Sequence, residues 1–308
     1  MADPTPRLAG ATAWVRAHRL DIALGAPLFL YVLILTVAPI LDTVRLSLTT
    51  PLDGAFPSLA NYRSLIASDV FRAAFRNTVI VALLSITLQL GVGLAVALTL
   101  HRHFRFRALV RAIVLLPLGV PTIVAGAVML LIFARSGYLN ALLFLGMDAV
   151  NALAGTHWHF SPMSWGVAGG WRTLATVAVA DMWKVLPVVT LILLAGLEAI
   201  PGDVNEAADV DGVNWWQRFT RITLPLLLPY LTMAIVLRAI DAFRIFELAL
   251  VLAGRVEPVM GTYIWSRYGP PTNDPFTAAA ASMVLFALIL TFVVAYMRAA
   301  AGVRERTS

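Results

Sequence analysis

Cysteine is absent from the 308-residue chain. That excludes disulfides, thiolate metal sites and cysteine nucleophiles. Charge is scarce too, at 13% of residues, where a soluble domain carries about 25%. Lysine occurs once, at Lys184, and the phosphate-binding pattern G-x-x-x-x-G-K-[ST] is missing. Neither a nucleophile elbow nor an H-E-x-x-H helix replaces it. The residues therefore support no catalysis. The histidine pairs His101/His103 and His157/His159 have no Cys, Asp or Glu close by to complete a metal site, and they read as surface groups.

What the sequence has instead is apolar length. Hydrophobic residues make up 60% of it, and the mean hydropathy is +0.83. A soluble core of this size could not hide that much apolar surface, so the chain reads as a multi-pass membrane protein. A spanning helix needs about 20 mostly apolar residues. Six stretches qualify: Ile22 to Leu41, Asn77 to Leu100, Ala112 to Ala134, Thr173 to Leu197, Ile222 to Leu252 and Thr277 to Met297. The fourth is interrupted by Asp181 and Lys184, and the fifth has a charged centre. The first run is too long for a signal-peptide core, and Asp42 and Arg45 follow it, so it reads as an uncleaved anchor.

The formal net charge is +6. The excess lies beside the spans, which suits positive-inside placement and not nucleic-acid binding. With the N-terminus inside, the cytoplasmic segments hold 12 arginines and the external ones 8. The loop from His101 to Arg107 contributes most of the bias. Both termini are thus expected in the cytoplasm. The longest loop, 135–172, carries Trp158, Trp165 and Trp171, which suits an interfacial aromatic belt.

One expected cytoplasmic loop, 198–225, is unlike a connector. It holds five acids between 198 and 211 and no Lys or Arg there. Pro201 and Gly202 should end the fourth span. Asp203 and Glu206 form a capping-box pattern, which predicts a helix starting at 204. Gly212 is placed to end it in a left-handed conformation. Asn214 and Gln217 repeat the capping pattern before a second helix. Such an acidic helical turn suits docking to another protein, and Ala207 and Ala208 allow close backbone approach.

These residues carry a resemblance. Glu206-Ala207-Ala208, three residues, Gly212, nine residues, Ile222, one residue and Leu224-Pro225 resemble the EAA motif of ABC-importer permeases. The runs Asp181-Met182-Trp183-Lys184 with Pro187, Ala195 to Pro201, and Asp241 to Glu247 are similar to the sugar-uptake branch of that family. The resemblance covers roughly residues 20 to 300. Two departures stand out: Val213 follows the glycine where the family often has alanine, and Ala253 to Pro258 replaces a glycine-rich run.

The resemblance implies an all-α membrane protein with six transmembrane helices, both termini inside and the EAA coupling loop between helices 4 and 5. It implies a cytoplasmic segment 1–21, one permease domain over 22–300 and a tail over 301–308. It further implies a second homologous permease, two cytoplasmic ATPase subunits, an external solute-binding protein and a sugar substrate. ATP and magnesium would sit in the ATPases, with no cofactor or metal in this chain, in a bacterial-type inner membrane. Glu206 would make the polar contact in the ATPase cleft. Ala207, Ala208 and Asp209 would fit beside it, Gly212 would set the turn, and Leu224 and Pro225 would lead into the fifth span.

The charges inside the spans leave two readings open. Asp181 and Lys184 are three apart and can pair. Arg238, Asp241, Arg244 and Glu247 alternate in sign at three-residue steps, over about 14 Å of helix. They could line a sugar path, with Trp183, Phe243 and Phe246 stacking on the sugar, or brace the interface as an ionic lattice. A proton relay through Asp181, Asp241 and Glu247 would instead make the chain an ion-driven secondary transporter. A third alternative is an assembly subunit that docks without transporting. Pro117, Pro121, Pro225 and Pro229 are candidate bends. Gly91, Gly93, Ala95 and Ala97 offer a small-residue packing face.

Overall fold

The computed structural model describes residues 18–305 except 52, 167, 168 and 255. Most of the expected N-terminal segment, Arg255 and residues 306–308 lie outside the described residues. Helices fill most of the rest, in the order α1 (Arg19–Ser47), α2 (Ala60–Ala67), α3 (Asp69–His101), α4 (Arg107–Leu115), α5 (Thr122–Phe133) and α6 (Tyr138–Ala154), then α7 (Gly170–Glu198), α8 (Gly202–Val210), α9 (Trp215–Phe243), α10 (Glu247–Leu252), α11 (Met260–Tyr268) and α12 (Pro275–Glu305). No strand occurs among the described residues. Six helical stretches are long and apolar enough to cross a membrane: α1, α3, α5 with α6, α7, α9, and α12 as far as Ala300.

Prolines decide where these spans bend. A proline lacks the N–H its helix needs, and its ring presses on the carbonyl four residues back. Two π turns absorb this. Leu33–Val37 precedes Pro39, and Phe219–Thr223 precedes Pro225, so α1 and α9 run on without a break. Pro229 sits inside α9 without breaking it. Pro117 and Pro121 do break the third span. A short 3-10 turn covers Leu116–Gly119, Val120 is extended, and α5 starts only at Thr122. The expected single helix from Ala112 to Ala134 is therefore corrected. Residues Thr122–Phe133 rise only about 18 Å, and the apolar stretch continues into α6, inside what was expected to be a loop. Asn140 fixes that junction by donating from Nδ2 to the carbonyls of Ala134 (3.0 Å), Arg135 (2.9 Å) and Met163 (2.8 Å). Trp165 donates to its Oδ1 at 3.1 Å, while Trp158 and Trp171 stay exposed.

The fifth span also differs from expectation. It begins at Trp215, and the chain leaves the helix at Arg244-Ile245-Phe246 before α10 resumes.

The core is the bundle of α3, α7 and α9. At one end Phe71, Ile86, Phe243, Tyr263 and Leu285 pack together. Beside them Val81, Met129, Val177, Leu248 and Leu252 form a second cluster. At the end that carries α8, the cluster is Leu100, Leu193, Leu197 and Leu227. Gly93 lets α3 approach α7 so closely that an added Cβ would lie 2.9 Å from Val189 Cγ1. Only half of the expected small-residue face packs in this way: Gly93 and Ala97 are buried, whereas Gly91 and Ala95 are exposed. At 100° per residue, positions two apart face nearly opposite ways. The outer surface is apolar, and α1 has no buried residue between 19 and 46.

Candidate functional site

Two features combine unusual chemistry with defined geometry. The first is the turn between the fourth and fifth spans. Helix α8 starts at Gly202, with extended Pro201 (φ −57°, ψ 142°) at its N-cap and no side-chain cap. This corrects the expected cap at Asp203. The helix begins earlier, so Asp203 lies in the first turn, where a carboxylate favours the helix dipole. The C-terminal end is closed as the glycine suggested. Gly212 is left-handed (φ +65°). Its N–H donates to Asp209 O at 3.2 Å, and the Val213 N–H donates to Ala208 O at 3.3 Å. Those two bonds make a Schellman closure. Asn214 and Gln217 form a reciprocal capping box at the start of α9.

Within this turn Ala208 is buried, at 2% exposed. Glu206, Ala207 and Asp209 are exposed, and Val210 is 88% exposed. An ion pair from Arg218 to Asp209 ties α8 to α9. A second, Arg107 to Glu198 at 2.8 Å, ties α4 to the end of α7. Leu224 and Pro225 follow the π turn in α9.

The second feature is a cavity of about 410 Å³ halfway along the bundle. Asp181, Lys184, Arg238, Asp241, Arg244 and Glu247 all line it, with Phe246. Arg238, only 2% exposed, is its anchor. It donates from Nε to Gln89 Oε1 (2.6 Å), from Nη2 to Asp181 Oδ2 (2.9 Å) and from Nη1 to Asp241 Oδ2 (3.3 Å). Ser85 also donates to Asp181 Oδ2, and Gln89 Nε2 donates to it at 2.9 Å. One hub thus joins α3, α7 and α9. Two buried charges are stable here because their polar atoms are met from three helices.

The expected pair Asp181–Lys184 does not form. Asp181 faces α3 and α9, while Lys184 turns about 60° away on α7 and donates to the carbonyls of Pro117 (2.8 Å) and Leu118 (3.3 Å). In an unbroken helix the residue at 121 would serve the Pro117 carbonyl, but Pro121 has no N–H. The lysine takes that place. The expected alternating series is also cut short. Arg238 pairs with Asp241, but the helix ends before Arg244, and neither Arg244 nor Glu247 makes a side-chain bond among the described residues. Both are exposed to the cavity, as is Asp241.

Of the three aromatic candidates, only Phe246 lines the cavity. Its ring lies 5.9 Å from that of Trp265. Phe243 is buried against Phe292 (5.2 Å), and Trp183 packs on the cluster around Val177 and Leu248. Ser85 and Gln89 escaped the sequence reading because they carry no charge. Their i, i+4 spacing in an apolar span was the available signal.

Comparison with known proteins identifies the family. The family described as "Binding-protein-dependent transport system inner membrane component" matches residues 89–301. The trehalose/maltose transport system permease protein MalF of Thermococcus litoralis is 34% identical over 293 residues, covering 92% of this chain and 94% of that protein. The trehalose transport system permease protein SugA of Mycobacterium tuberculosis is 34% identical over 243 residues, covering 77% and 74%. A bacterial ABC transporter involved in the import of the acidic polysaccharide alginate has a similar fold. Its matched chain gives a TM-score of 0.77 at 21% identity, covering 94% of this chain and 98% of that one. With its six candidate spans, this multi-pass membrane protein belongs to the binding-protein-dependent transport system inner membrane component family.

Proposed function

We propose that this chain is the sugar-translocating permease subunit of an ATP-driven importer. It hydrolyses nothing itself. It pairs with a second permease (another gene product or a second copy), rests on two cytoplasmic ATPases and receives sugar from an external binding protein. Both termini lie in the cytoplasm, flanking one permease domain over 22–300, in a bacterial-type inner membrane. The names of the relatives support the substrate class, and a solved relative of the same fold carries a periplasmic protein loaded with alginate pentasaccharide.

The observation that carries this reading is the turn over 198–225. It is a rigid, Schellman-closed helix with Glu206, Ala207 and Val210 facing outward and a strap from Asp209 to the fifth span. A cleft in the ATPase that grips α8 would move α9 with it, through Arg218. The cavity then sits on the helix that is moved. Its charged lining comprises three acids and three bases, which favours an uncharged sugar. Phe246 offers a stacking face, while Asp241, Arg244 and Glu247 offer hydroxyl-binding groups. The ion-driven alternative lacks a free carboxylate at Asp181, which Arg238, Ser85 and Gln89 hold.

The test is ATPase activity of the assembled complex in lipid, with binding protein and a sugar panel starting from trehalose and maltose. One loaded binding protein should stimulate the wild type, and Glu206→Ala should lose most of the stimulation while the subunits stay together. Transport that follows a proton or sodium gradient with no co-purifying ATPase would refute the proposal.

A further inference from the structure

A second cavity, of about 300 Å³, lies at the α8 end of the bundle, away from the sugar cavity. Its rim is basic: His101 and Arg102 from the end of α3 and Arg218 from the start of α9. Its floor is apolar, from Leu98, Leu197 and Ile200, and Trp215 stands at its side. No acid lines it.

Three buried side-chain nitrogen or oxygen atoms lack a hydrogen-bond partner among the described residues, and two of them belong to this rim: His101 Nδ1 and Arg218 Nε. Buried polar groups are nearly always satisfied, so two orphans on residues of one cavity mark a place short of hydrogen-bond partners. Neighbouring cations are already matched. Arg107 is paired with Glu198, and Arg218 uses one nitrogen on Asp209. The side chains of His101 and Arg102 make no ion pair among the described residues. The negative end of the α3 dipole explains a cation at its C-terminus. It does not explain the apolar floor, the tryptophan or the unmet Nε on another helix.

We infer that this cavity binds the phosphate group of an anionic phospholipid. Guanidinium groups match phosphate oxygens with charge-assisted hydrogen bonds, and an imidazole N–H can donate to them as well. The apolar floor suits the glycerol and upper acyl carbons. Trp215 and Trp216 are 57% and 63% exposed, which suits aromatic residues at the headgroup level. The reading above serves only to place the cavity in the inner leaflet. Arg218 also gives the site a consequence. The same guanidinium that faces the cavity holds Asp209 of α8. A phosphate there steadies the strap between α8 and α9, so the transmission of movement depends on the lipid.

The experiment needs no sugar and so fails or succeeds apart from the substrate reading. The assembled transporter is equilibrated in phosphatidylcholine bilayers with and without phosphatidylglycerol, and native mass spectrometry counts the lipids retained. Wild type should retain phosphatidylglycerol in preference to phosphatidylcholine. His101→Gln combined with Arg102→Gln should weaken that retention at least about tenfold, since each lost charged hydrogen bond is worth about a factor of ten. Arg102→Gln alone, at an exposed position, should give a smaller loss and keeps the test decisive if the double variant assembles poorly. Arg105→Gln removes the same charge from the same loop outside the cavity, where Arg105 lies over Phe106, and should change nothing. Unchanged retention in both cavity variants overturns the site, as does an equal loss in Arg105→Gln. A parallel arm adds inorganic phosphate. Lipid retention should survive it, and complete displacement would overturn the lipid as the source in favour of free phosphate.

Discussion

Asp181 and Asp241 share one arginine yet differ in every physical respect. Asp181 is buried with Arg238, whereas the Asp241 side chain is 61% exposed. Removing one partner of a buried pair costs about 3–5 kcal/mol, whereas an exposed pair contributes about 0–1 kcal/mol. Asp181→Asn should therefore lower the thermal stability of the purified complex strongly. Asp241→Asn should leave stability nearly unchanged and alter which sugars stimulate the ATPase. If the melting temperatures of the two variants coincide, the hub is not the brace described. Lys184 gives a second prediction. Lys184→Met leaves the Pro117 carbonyl with only the Val120 N–H, at 3.3 Å. Loss of a charged hydrogen bond is worth about 1.5–3 kcal/mol, so hydrogen exchange across 116–122 should accelerate. At this scale the sequence marked the charged residues within the spans but not who meets whom. Local spacing suggested Asp181 with Lys184. The partner chosen lies 57 residues away, because helix packing and not helix pitch sets the distance.

Among the elements, the 198–225 turn was the most legible. Its signals are local: a left-handed glycine, a capping pair and a proline at the helix entry all act within a few residues. Even so, the cap at Asp203 failed, because Pro201 sets the start of α8. Gly212→Ala tests the turn without adding a clash, since no atom lies within 4 Å of an added Cβ. The strain of a left-handed alanine is about 1–2 kcal/mol. Coupling of ATP hydrolysis to sugar should fall while span packing, read by hydrogen exchange in α7, stays the same. Pro117 and Pro121 marked a bend in the third span but not that it breaks there, and the unwound Arg244 to Phe246 segment was not legible. An apolar run looks the same whether it is one helix or two, and the Lys184 bond to the Pro117 carbonyl comes from a distant part of the chain.

For the molecule as a whole, composition and run length were enough to indicate six spans, and the described residues offer six. The internal order came from polar side chains that hydropathy discounts. Ser85, Gln89, Asp181 and Arg238 fasten three spans together, while most of the remaining surface, above all along α1, is an apolar exterior. The polar hub fastens three helices as one body, and Asp241, Arg244 and Glu247 stay exposed at the cavity, where the proposed function would have them meet sugar or a partner permease.

The hub also bears on how the chain is made. Asp181 leaves the ribosome before Arg238 does, and at about 5–20 residues per second the gap of 57 residues lasts roughly 3–11 s. During that wait a carboxylate sits in the fourth span without its counter-ion, so this segment should linger beside the insertion machinery instead of entering lipid at once. A nascent chain arrested before Arg238 emerges should crosslink to the insertase through a cysteine placed in the fourth span, which the cysteine-free sequence makes easy to introduce. A chain arrested after the fifth span should not, and neither should one carrying Asp181→Leu at the earlier arrest point. Equal crosslinking in all three would mean that the two spans enter the membrane independently.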